Sequence, residues 1–261
     1  MEITTLFIAK TLITILFVLL LSLIAEYINP KISGIISGIP TGTALILFFY
    51  GLEQGPEFAS ESSLFNLVGM LSMQVFIFIY LKISTNNTRT NMLISSLVAI
   101  IGYVIIILFL KQFQFNLITA LIIPIISIPL FNYLFEKINN TVIKDRIKLS
   151  TKVLFVRAIL ASIVIISVTS IAHLIGPEWA GLFSAFPTTL FPLILIVHNT
   201  YGREHVHTII KNVPKGQWCI VIYIISIFFL YPSLGIYVGT LIAFFLVTFY
   251  LVALFKLYEK L

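Results

Sequence analysis

Charge is scarce in this chain. Asp, Glu, Lys and Arg make up 10% of the 261 residues against 59% hydrophobic, and the mean hydropathy is +1.10. A soluble domain does not sustain that balance, because it would have too little polar surface to cover its own core. Cysteine occurs once, at Cys219, which excludes an intrachain disulfide and leaves no basis for a thiolate metal site. There is no Gly-rich phosphate loop, no activated serine or cysteine arrangement and no deep carboxylate cluster, so neither a catalytic residue nor a cofactor is expected. His205 and His207 are two apart, on different sides of a helix, and His198 lies a further two turns back. That is not a ligand set, and no metal is expected. The net charge of +6 does not indicate nucleic acid, because the basic residues are dispersed among short connections.

What the chain has in abundance is apolar runs of about 20 residues, the length needed to cross a hydrocarbon core of about 30 Å. They fall near 5–27, 32–52, 62–82, 91–111, 116–136, 153–175, 179–200, 211–232 and 235–256. None shows the alternation of barrel strands, so the predicted fold is an all-α polytopic membrane protein of about nine transmembrane helices. The first run is longer than a signal-peptide core and follows Glu2 rather than a basic segment, so it is read as a retained helix. Tyr50, Trp179, Tyr201, Trp218, Tyr231 and Tyr258 fall near span ends, as an interfacial belt would.

Alternating connections differ in charge. One side collects Lys31, Lys82, Arg89, the basic stretch from Lys137 to Lys152, Arg203, Lys211, Lys215, Lys256 and Lys260. The other holds Glu53, Glu57, Glu61 and Glu178, with Lys10 and Lys111. The positive-inside rule makes the first side cytoplasmic, with the N-terminus outside and the C-terminus inside a cell (plasma or inner) membrane.

The chain also repeats itself. A shift of 147 residues pairs Ile24 with Ile171, Ala25 with Ala172, Ile28 with Ile175, Pro30 with Pro177, Gly34 with Gly181, Ser37 with Ser184, Pro40 with Pro187 and Thr41 with Thr188, then Gly55 with Gly202, Glu57 with Glu204 and Gly69 with Gly216. Residues 1–115 then form one four-helix repeat and 153–261 a second. Residues 116–152 supply a connector helix and a basic cytoplasmic loop. One extra crossing inverts the second copy, giving the inverted-topology repeat common among secondary transporters.

Pro40 and Pro187 fall near the centres of the second and seventh spans, where a missing N–H and a clash with the residue four back break or kink a helix. Ser37, Thr41, Thr43, Ser184, Thr188 and Thr189 bring hydroxyls to the same depth. These residues with the two prolines are the candidate solute or ion path. Gly34, Gly38, Gly42, Gly181 and Ala185 also fit a helix-packing stripe, and the segments are read equally as a path or a packing joint. Glu57 and Glu204 are candidate gates at opposite mouths, or simply charges at the N-termini of the next helices. Lys10 and Arg157, repeat partners, are expected to snorkel to opposite interfaces.

Ala180-Gly181-Leu182 and Phe186-Pro187-Thr188, with Gly202 fifteen residues beyond the proline, resemble the GlpM family of small bacterial inner-membrane proteins. The first half resembles it at Gly38-Ile39-Pro40-Thr41 and at Glu53-Gln54-Gly55-Pro56-Glu57. In the second half Thr200 replaces the first of those glutamates. Family members have four helices and about half this length, so the resemblance implies two such units fused through an extra helix, arranged like an antiparallel dimer. It brings no catalytic residue and no substrate.

The expectation is therefore a secondary transporter or exporter of a small solute, not an enzyme, working in the lipid bilayer around the crossing of the second and seventh spans. Carbonyls freed by the prolines favour Na⁺ over H⁺ as coupling ion. The alternative is a non-transporting membrane scaffold or regulator whose repeats only pack. The solute, the direction of transport and the oligomeric state are left open.

Overall fold

Backbone polar groups in an apolar chain must pair internally, and here they pair along helices. Among the described residues every regular element is α-helical and there is no strand. The structure is a computed structural model and describes residues 8, 10–17, 19, 40–138 and 151–258. Residues 10–17 are helical (α1). There follow α2 (Thr41–Gln54), α3 (Pro56–Ile83), α4 (Arg89–Leu110), α5 (Leu117–Glu136), α6 (Thr151–Ser184), α7 (Leu190–Tyr201) and α8 (Arg203–Tyr258).

Five of these helices, α3, α4, α5, α6 and α8, are long and apolar enough to cross a membrane, as in an all-α integral membrane protein. Two of them contain breaks. The 56 residues of α8 would reach about 84 Å as a straight helix, more than twice a hydrocarbon core. Gly235, at φ 76° and ψ 173°, interrupts the run where the eighth and ninth predicted spans were separated. Gly176, at φ 77°, likewise interrupts α6 just before Pro177. The seventh predicted span, 179–200, is divided between the end of α6 and α7, with residues 185–189 non-helical between them.

The starts of the helices have local causes. Asn116 Oδ1 accepts from the Thr119 N–H while the Thr119 hydroxyl accepts from the Asn116 N–H, each at 2.9 Å, a reciprocal cap that starts α5. Thr88 caps α4 by accepting from the Asn91 N–H. Gly55 (φ 98°) turns α2 into α3 in a single residue, and Gly202 (φ 87°) does the same between α7 and α8.

α3 is the hub. It packs against α2, α4, α5, α6 and α8, and Leu67, Val68, Phe76 and Ile77 on it are fully buried. Close approach depends on small residues: a side chain on Gly181 would collide with the Ser62 carbonyl, and one on Gly69 would come within 2.6 Å of the Ala185 methyl. The outer helices carry the opposite pattern to a soluble protein. Leu97, Ile101 and Ile105 of α4 and Ile118, Ile122 and Ile126 of α5 are exposed. Such a continuous apolar exterior is stable against acyl chains and unstable in water.

The two ends of the bundle differ. At one, the 84–88 connection is bonded to the α7–α8 turn: Arg89 Nε donates to Asn199 Oδ1 at 3.1 Å, and the Arg203 N–H donates to Asn87 Oδ1 at 2.8 Å. Lys211 donates to the Ile138 carbonyl at the same end. The other end holds the ion pairs Lys111–Glu178 and Lys10–Glu53.

Candidate functional site

α2 and α7 begin at the same place and run apart. Both start beside Met73, in the body of α3, where Thr41 Oγ1 and Thr189 Oγ1 are 3.0 Å from each other. α2 ends at Gly55, where α3 starts. α7 ends toward the other end of α3, where His198 Nδ1 is 2.7 Å from the Tyr80 hydroxyl. The second ring nitrogen of His198 faces the Asn86 carbonyl at 3.0 Å. A carbonyl can only accept, so the Nε2 is protonated and Nδ1 accepts from Tyr80. With 14 and 12 residues, α2 and α7 extend about 21 and 18 Å from the shared start. They are two half-helices set head to head.

Between them lies a cavity of about 20 Å³ lined by Pro40, Thr41, Gly42, Thr43, Met73, Ala185, Phe186, Pro187, Thr188, Thr189, Leu190 and Ile220. That volume holds about one water-sized group. Phe186 is held edge-on between Phe76 and Tyr103, with ring centroids 5.7 and 5.2 Å away, so one wall is aromatic and rigid.

The donors and acceptors around the break are unequally satisfied. Four carbonyls near the end of α6 are taken: Tyr50 donates to Ala180 O (3.0 Å), Ser184 Oγ to Gly181 O (2.7 Å), Tyr103 to Leu182 O (2.6 Å) and the Phe186 N–H to Phe183 O (3.1 Å). The first-turn N–H groups of α7 have no helical carbonyl one turn back to bond, and the residues one turn back from the α2 start lie outside the described ones. Among the described residues neither helix start has a side-chain cap. The Thr188 hydroxyl, 2% exposed, also finds no partner among them.

The structure therefore brings together Pro40, Thr41, Thr43, Pro187, Thr188 and Thr189, with Gly42 and Ala185, around one cavity. Ser184 is adjacent but turned away: it accepts from Asn66 Nδ2 at 2.5 Å and donates to Gly181 O. Gly181 lies in the α6–α3 joint, and a side chain on Gly42 would collide with Thr188 Oγ1. Ser37, Gly34 and Gly38 lie outside the described residues. Glu57 and Glu204 are exposed, each in the first turn of its helix, α3 and α8, and neither reaches the cavity. Pro40 stands at the start of α2 and Pro187 in the non-helical stretch before α7.

Several polar residues of consequence are ones that sequence reasoning passed over or misplaced. Lys10 is enclosed by protein at the end of the bundle that holds Glu53. It is 4% exposed, ion-paired with Glu53 (10% exposed), bonded to Thr169 Oγ1 at 3.0 Å and 5.8 Å from the Phe49 ring centre. The Arg157 side chain lies outside the described residues. Tyr50 and Tyr231 are not belt residues. Both are buried, Tyr50 on the Ala180 carbonyl and Tyr231 on Thr240 Oγ1 at 2.7 Å. Inside the core, Gln74 Nε2 donates to Gln217 Oε1 at 2.9 Å, next to Met73. Asn66, Gln74 and Gln217 had a signal in the sequence, being amides within apolar spans. Among the described residues no cluster of His, Cys, Asp and Glu is placed to hold a metal ion.

Comparison of the chain with family models, with curated proteins and with solved structures finds no match.

Proposed function

We propose that this protein is a membrane transporter of a small solute, built as two inverted-topology repeats, with its substrate path at the junction of α2 and α7. The observation that carries the reading is the head-to-head start of two half-helices beside Met73, with a polar cavity at a depth far from either end of α3. Interrupted helices at that depth are tolerated where their free backbone groups serve a cavity or a ligand.

The recurrence of elements supports the two-repeat part. The single-residue turns Gly55 and Gly202 are 147 residues apart, as are the starts of α3 at Pro56 and α8 at Arg203. The start of α4 at Arg89 and the resumption of α8 after Gly235 are separated by the same interval. Met73 and Ile220, which both line the cavity, are also repeat partners. Counting the breaks at Gly176 and Gly235 as boundaries is in keeping with nine crossings, and the four-helix units agree with the GlpM resemblance. The clustering of Arg89, Arg203 and Lys211 at one end, with Glu53 and Glu178 at the other, supports a cytoplasmic face at the 84–88 connection. The localisation read from this is the cell membrane.

A second reading has its own observation. The cavity is small, and Gly42, Gly69 and Gly181 are all in tight contacts, as a non-transporting scaffold would require. Reconstitution in liposomes separates the two. Under imposed ion gradients, saturable solute flux that falls in Thr41→Val is the transporter outcome. In a Cys219→Ser background, Thr43→Cys should be modified by an aqueous thiol reagent if a path opens to it. A protein that folds, moves no solute from a broad panel and leaves Thr43→Cys unlabelled is a scaffold.

A further inference from the structure

We infer that the junction of α2 and α7 is a binding site for one small monovalent anion. This rests on the reading of that junction as the substrate path and adds the class of ligand it takes.

The first argument is the balance of hydrogen-bonding groups. Proline breaks release carbonyls on one side and N–H groups on the other, and a cation site needs the carbonyls. Here the four carbonyls from Ala180 to Phe183 are bonded by Tyr50, Ser184, Tyr103 and the Phe186 N–H. The helix starts that meet there contribute donors. In α2 the first intrahelical bond runs from the Ala44 N–H to Pro40 O, and in α7 from the Phe191 N–H to Pro187 O. Thr189 and Leu190, whose N–H groups precede that bond in α7, line the cavity, as do Gly42 and Thr43 in the first turn of α2.

The second argument is independent of the helix ends. The Thr188 hydroxyl lines the cavity, is 2% exposed and has no partner among the described residues. A buried hydroxyl without an acceptor is costly, and an anion in the cavity would supply the acceptor. The Thr41–Thr189 pair adds to this, since one hydroxyl donates to the other and one proton is left over.

Charge and size narrow the class. Each helix N-terminus carries about half a positive charge, so two facing ends balance about one negative charge. No charged side chain lines the cavity. A divalent oxyanion would be left half uncompensated in a site with no charged side chain and an aromatic wall. The 20 Å³ volume suits a halide or one end of nitrate or formate. The Na⁺ expectation depended on free carbonyls near the prolines, and the four from Ala180 to Phe183 are held by the donors just named.

The test is calorimetric titration of the purified full chain in detergent with chloride, bromide, nitrate and formate, in a gluconate background of constant ionic strength. Each salt is repeated with sodium, potassium and choline. Saturable binding of at least one of these anions, indifferent to the cation, is expected. It should weaken at least tenfold in Thr188→Val and in Thr189→Val and be unchanged in Ser233→Ala, an exposed position on α8. In gluconate, Thr188→Val should melt no lower than the parent, because it removes an unpartnered hydroxyl. A purely structural threonine would instead lose stability and leave the affinity of the folded fraction intact. Binding that follows the cation, binding unaffected by either variant, or no binding with any of the four anions overturns the site. Anion binding without flux in liposomes would refute transport and keep the site. Flux of a neutral or cationic solute that no anion affects, together with silent titrations, would refute the site and keep transport.

Discussion

Gly181 and Thr188 are seven residues apart and do opposite things. Gly181 lets α6 settle on α3 with no room for a side chain above the Ser62 carbonyl. Replacing it with valine should cost about 1–3 kcal/mol by overpacking and lower the melting temperature in detergent. Lys10 and Glu53 make a second residue-scale case. Removing one partner strands a buried charge, at about 3–5 kcal/mol, whereas removing both leaves two apolar or neutral groups. Lys10→Met and Glu53→Gln should each melt well below the parent, and the double variant should melt above either single one. If the double variant shows additive loss, the pair is not coupled. The sequence marked Lys10 as a cation near a span end, which is where snorkelling lysines sit. Only the packing of α1 beside α2 and α6 shows that its partner is Glu53, because the two are 43 positions apart along the chain.

At the scale of elements, breaks matter more than helices. Gly55 and Gly202 have φ of 98° and 87° and each turns one helix into the next. An alanine at either place should cost about 1–2 kcal/mol, since a Cβ is disfavoured at positive φ. Equal losses at the two would fit equivalent roles, and would be visible as matched shifts in thermal melts. The pairing of these glycines at an interval of 147 was legible in the sequence. Their effect on direction was not, because a glycine in an apolar run can equally be a packing residue, as Gly181 is. Pro187 was readable as a break point on the same footing, from a missing N–H and a ring clash. Which groups the break leaves free was not. That depends on Tyr50 and Tyr103 arriving from α2 and α4 to bond the α6 carbonyls. By position along the chain Tyr50 looked like an interfacial residue.

For the molecule as a whole, the exterior is the property that decides its solvent. Ile101 is in the middle of α4 and about half exposed. On a soluble protein an aspartate there would be nearly neutral. In a bilayer it should disfavour insertion by about 3 kcal/mol, so Ile101→Asp should reduce the membrane-integrated fraction sharply, measured by alkaline extraction. Orientation can be read in the same membranes. In a Cys219→Ser background, Asn87→Cys should be labelled only from the cytoplasmic face and Glu57→Cys only from outside, and the reverse pattern would overturn the assigned topology.

The sequence alone determined the helical class, the apolar exterior and the break at Pro187 before α7. These follow from local quantities: hydropathy summed over about 20 residues, the chemistry of proline and glycine, and caps such as Asn116 with Thr119. The tertiary structure decided which polar groups meet. Lys10 with Glu53, Asn66 with Ser184, Gln74 with Gln217 and Thr41 with Thr189 are all distant in the chain. The occupation of the α6 carbonyls before Pro187 is set by Tyr50 and Tyr103, which arrive from α2 and α4. It is a property of several helices at once, and no window of the sequence contains it.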